Sequence, residues 1–178
     1  MLNSFWAAFE ETFAKAAELD FPPFLGPVPS GTPLNSTPYV AHLDDVVEGG
    51  IMSNRRELLR QLVVAVEELA KRGVESVAVL LGGSAVGPKP YPADLDCVLF
   101  YRLDQASPAT RAPNLAGFQR RMKARRLDLR LVPADGDPLL LIKAVSFFTT
   151  LYAMSEASEP VRGLVLIDCR PRPPAQVD

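Results

Sequence analysis

Histidine is almost absent from this chain: His42 is the single copy in 178 residues. A metal site built from several imidazoles is therefore excluded within one chain, and a serine triad would need His42 as its only base. The stretch Gly82-Gly83-Ser84-Ala85-Val86 also misses the nucleophile elbow, because Val86 stands where the last glycine should be. Cysteine is scarce as well. Cys97 and Cys169 lie far apart, form no C-x-x-C pair and have no zinc spacing, so two reduced thiols in the cytoplasm are expected. No apolar run reaches the roughly 18 residues of a membrane span. The N-terminus has no basic lead and carries Glu10 and Glu11, unlike a secretory signal. A net charge of −2 and a pI near 5.5 give no global attraction for nucleic acid.

What is present describes one α/β (α+β) domain, a mixed sheet flanked by helices, since the length suits one domain with a good core. Residues 1–19 read as an N-terminal helix with Phe5, Phe9 and Phe13 at i+4 spacing, a core-facing stripe. Residues 20–40 hold six prolines, which forbid regular helix or central strand. Phe21, Phe24, Leu25 and Val28 among them predict an arm packed on the domain, able to cover a site. The domain proper is placed at 41–169. Asn54 and Glu57 resemble a capping box opening a helix that runs to Gly73. Strands are expected at about 76–81, 95–102, 127–132 and 162–169, with a basic helical stretch ending near Arg126. Asp137-Pro138 supplies an N-cap and first-turn proline for a helix over 139–154, on which Phe147, Phe148 and Tyr152 read as core. The proline-rich tail, 170–178, is expected to be disordered. His42, before Asp44 and Asp45, reads as a surface or cap residue.

The chemistry concentrates in "LLGGSAVGPKPYPADLDCVLFYR", residues 80–102. Side chains alternate along a strand, so Asp94 and Asp96 project together while Leu95 points to the core. Adjacent carboxylates raise each other's pKa unless something positive lies between them. Mg²⁺ takes one or two such ligands together with substrate phosphates. At Gly82 and Gly83 no Cβ keeps a phosphate from the backbone N–H groups, and Ser84 can add a hydroxyl. A P-loop is a poor fit: Gly82 to Gly87 matches its first six positions, but Pro88 precedes Lys89 and no Ser or Thr follows. A tight turn followed by two solvent-facing acids is the competing reading. The basic cluster of Arg120, Arg121, Lys123, Arg125, Arg126 and Arg130 lacks interleaved aromatics and reads as a solvated helix face.

An apolar strand, Gly-Ser, nine residues and then Asp94-Leu95-Asp96 together resemble the signature of the polymerase β-type nucleotidyltransferase superfamily. Asp128, between Leu127 and Leu129, matches that superfamily's third carboxylate. Residues 37–167 are similar to an uncharacterised bacterial branch of small nucleotidyltransferase-like domains, with Lys89 after the turn and Arg55-Arg56 opening the preceding helix. The resemblance implies a minimal nucleotidyltransferase fold moving a nucleoside monophosphate from a nucleoside triphosphate to an acceptor (a small molecule, a protein or an RNA end). It implies Asp94, Asp96 and Asp128 as catalytic and Mg²⁺- or Mn²⁺-binding residues, and Gly82, Gly83, Ser84 and Lys89 as nucleotide-binding ones. Familiar members carry a second domain for base or acceptor. Only a helix and a strand follow Asp128 here, so the arm, a second copy of the chain or a partner protein would supply that half. The alternatives are a catalytically silent module that binds nucleotide or regulates a partner, and a purely structural subunit.

Overall fold

The computed structural model describes residues 2–26, 32–48, 52–87, 89–103, 114–154 and 162–172, with the side chains of 2–5 and 53 outside the description. Among these residues the chain runs α1 (Leu2–Glu18), β1 (Tyr39–His42), α2 (Leu43–Glu48), α3 (Arg56–Ala70), β2 (Val74–Gly82), β3 (Leu95–Leu103), α4 (Leu115–Ala124), β4 (Leu127–Pro133), α5 (Pro138–Ala153) and β5 (Val165–Asp168). The five strands form one mixed sheet in the order β1-β5-β2-β3-β4. β1 runs parallel to β5, β2 is antiparallel to both β5 and β3, and β3 is parallel to β4. The fold is thus the mixed α/β class expected from the sequence. No helix among the described residues is long and apolar enough to cross a membrane.

Alternation along β3 divides the sheet's two faces. Leu95, Cys97 and Leu99 join Leu127 and Leu129 of β4 and Val79 and Leu81 of β2 in the main core, under Leu59, Leu62 and Leu69 of α3 and Phe118 and Met122 of α4. The opposite face buries a smaller cluster, Leu80, Val98, Phe100 and Leu164, with Tyr152 of α5. Asp96 lies on this second face, at the end where β3 begins.

Several expectations need correction. Tyr39–His42, partly inside the proline-rich stretch, is strand β1, and the edge of the sheet accommodates it. His42 is buried and stacks on Trp6, ring centroids 4.4 Å apart, so it is not a surface residue. The capping box does not form: α3 begins after Arg55 with no side-chain cap, and the Asn54 side-chain Oδ1 accepts from Arg55 Nη1 instead. Phe147 is 57% exposed and is not core, whereas Tyr152 is. The Asp137 cap does form, its carboxylate accepting from the N–H groups of Leu139 and Leu140.

In the proline-rich stretch, Phe21 is buried beside Phe13 and Tyr39, and its carbonyl accepts from the Gly163 N–H at 2.5 Å. Phe24 is half exposed. Val28, the side chain of Phe5, Pro88 and residues 173–178 lie outside the described residues. A cavity of about 710 Å³ lies between α1 and this stretch, lined by Phe9, Leu34, Pro38 and Val40 among others. None of the acids or glycines singled out in the sequence lines it.

Candidate active site

The parallel register of β3 and β4 sets Asp96 directly beside Asp128, with Leu95 beside Leu127 and Cys97 beside Leu129. The two acids therefore share a face, and the flanking leucines and Cys97 are buried on the other. Asp94 sits one residue before β3 and is half-buried. Burial raises the pKa of Asp96, and the Asp94 and Asp128 carboxylates push it further. Arg130 and Arg162 pull it back. Three acids thus act on one another electrostatically where β3 and β4 begin.

The two glycines have separate duties. A Cβ on Gly82 would come within 2.3 Å of the Tyr152 Cβ and 2.7 Å of a Leu164 methyl, so Gly82 lets α5 close on the sheet. Buried there, Gly82 is committed to packing. Gly83 takes φ +63°, and a Cβ on it would stand 2.2 Å from Asp96 Oδ2. That left-handed backbone and that close approach both require glycine. Ser84 is half-buried in the turn that Gly83 opens, and Lys89 is exposed further along the loop.

Two arginines hold the loops on either side. Arg55 is buried, donating from Nε to the Ala85 carbonyl at 2.6 Å and from Nη2 to those of Gly87 at 2.5 Å and Lys89 at 2.8 Å. Burial lowers its pKa, and Asp20 acts in the opposite sense. Arg126 follows α4 with φ +64° and donates to the Pro92 and Ala93 carbonyls, while its own carbonyl accepts from the Leu95 N–H. It thereby ties down the segment that ends in Asp94.

Two members of the basic cluster read from the sequence as a solvated helix face stand at Asp128 instead. Lys123 Nζ stands 3.8 Å and Arg130 Nη2 3.4 Å from its carboxylate. With Arg120 they line a recess of about 250 Å³ next to Asp128. The signal for Arg130 was its place two residues after Asp128 on one strand, which puts both on one face. Arg121 and Arg125 of the same basic stretch pair instead with Glu68 on α3. As the side chains stand, no group of three or more His, Cys, Asp or Glu among the described residues is close enough to hold a metal ion.

Comparison with curated proteins and with solved structures finds no match to this chain. A family profile does match, over residues 20–168, from the proline-rich stretch through the end of β5. The chain belongs to that family, DUF6932, a family of unknown function.

Proposed function

We propose that this protein is a metal-dependent nucleotidyltransferase that moves a nucleoside monophosphate from a nucleoside triphosphate to an acceptor hydroxyl, with pyrophosphate leaving. One observation carries the reading: Asp96 and Asp128 stand side by side on parallel strands, with Asp94 near and the Gly83 turn pressed against Asp96. Like charges held together on a partly buried face favour a cation between them. The donor set is all carboxylate oxygen, which suits Mg²⁺ or Mn²⁺. Asp94, Asp96 and Asp128 would hold the ions, whose chemistry is to neutralise the triphosphate and polarise the reacting phosphorus. The Gly83 N–H, Ser84 and Lys89 would bind the phosphates, and Asp128 would accept the acceptor's proton. Gly82 serves this site only by seating Tyr152. Both cysteines are free, in keeping with work in a reducing cytoplasm.

A second reading, a nucleotide-binding module without turnover, draws on a different observation. Lys123 and Arg130 stand against the two Asp128 carboxylate oxygens and compete with a metal or a proton for them. Thermal shifts with each nucleoside triphosphate, with Mg²⁺, Mn²⁺ or EDTA, separate these readings when combined with labelled-nucleotide transfer in cell extract. A metal-dependent rise in Tm lost in Asp96→Asn, with label transferred to an acceptor, is the expected result. The same rise without transfer favours the silent module. No shift with any nucleotide overturns both.

A further inference from the structure

Helix α5 covers the second face of the sheet, yet much of its apolar surface faces solvent. Leu139 is 76% exposed, Leu140 72%, Phe147 57%, Leu151 51% and Met154, which ends the helix, 38%. The inward side is accounted for by Leu141, Phe148 and Tyr152, which pack on the sheet. Along one flank, Leu140, Ala144, Phe147, Leu151 and Met154 recur at spacings of four and three, the 3.5-residue repeat of a helix–helix seam. Lys143 is the only charged residue in the helix, so the seam carries no charge pattern to match on a different partner.

We infer that α5 pairs antiparallel with α5 of a second copy of this chain, about a two-fold axis near the middle of the helix. In that register Leu140 meets the partner's Leu151, and the small Ala144 meets the partner's large Phe147, so the seam is complementary to itself. A two-fold interface demands such self-complementarity. The exposed seam and Leu139 offer on the order of 500 Å² of apolar surface per copy, hence about 1,000 Å² for the pair, where specific interfaces begin. A patch of that size is about as large as the largest on a typical monomer, and such patches often mark an interaction site. The same helix seats Tyr152 on Gly82, so pairing also steadies the wall beside Asp96. The inference stands independently of the nucleotidyltransferase reading.

Sedimentation velocity of the full chain across micromolar concentrations tests it, with far-ultraviolet circular dichroism to confirm folding of each variant. The wild type should reach dimer mass. Leu151→Glu and Phe147→Asp, at exposed positions, should remain folded and run as monomers. Ile142→Lys, equally exposed but off the seam, should still dimerise. A wild-type monomer at every concentration overturns the proposal, even if a different protein binds the helix. So does a dimer that survives Leu151→Glu, or one that Ile142→Lys abolishes as readily.

Discussion

Asp96 titrates above the ordinary 3.8 of an aspartate because it is buried and faces the Asp94 and Asp128 carboxylates. Between the unfolded value and this raised one, the native state holds more protons than the unfolded chain. Stability therefore falls as pH rises through that window and stays lower above it. Asp96→Asn removes the penalty. The variant should melt above wild type at pH 7. The gain should vanish well below pH 3.8, where both states are protonated. Melting curves across a pH series check this, and a difference constant with pH would assign the gain to something other than charge. Gly83→Ala should act in the opposite direction, costing about 1–3 kcal/mol for a left-handed backbone with a methyl driven into Asp96. Chemical denaturation measures it, and an unchanged midpoint would mean that the turn relaxes freely.

At the scale of elements, the turn after β2 has no regular ladder of its own and is held by Arg55 from the start of α3. Replacing Arg55 by Met keeps the stem but removes the donor from three loop carbonyls, the buried one of Ala85 among them, at a cost of about 1–3 kcal/mol. The loop carrying Ser84 and Lys89 should then open to protease before the sheet does. Limited proteolysis read by mass spectrometry tests this, and first cleavage elsewhere would count against the tether. Helix α5 shows how an element can be legible and still misread. Asp137-Pro138 marks its start in the sequence, because a cap depends on neighbours two and three residues away. Which of its aromatics are buried depends on where the sheet lies, so Phe147 and Phe148 could not be told apart by composition.

For the whole molecule, the family match begins at residue 20, yet α1 lies before it and contributes Phe13 and Ala16 to the main core. Removing residues 1–19 would uncover Phe21 and take Trp6 from His42. The shortened chain should lose several kcal/mol, since burying a single large apolar side chain contributes about 1.5–3 kcal/mol. Equilibrium unfolding in urea decides it, and a midpoint equal to that of the full chain would make α1 an appendage.

Periodicity alone determined that Leu95, Cys97 and Leu99 face the core while Asp96 turns away, and the same rule placed Leu127 and Leu129 opposite Asp128. These are properties of one strand at a time, and hydrophobic burial enforces them locally. The pairing of Asp96 with Asp128, by contrast, required β3 and β4 to lie parallel in one register, and only the folded sheet decided that. The duty of Gly82 under Tyr152, the reach of Arg55 to a loop some thirty residues on and the burial of His42 against Trp6 were likewise decided by the fold. Each depends on atoms far apart along the chain, whose distance no local pattern of residues encodes.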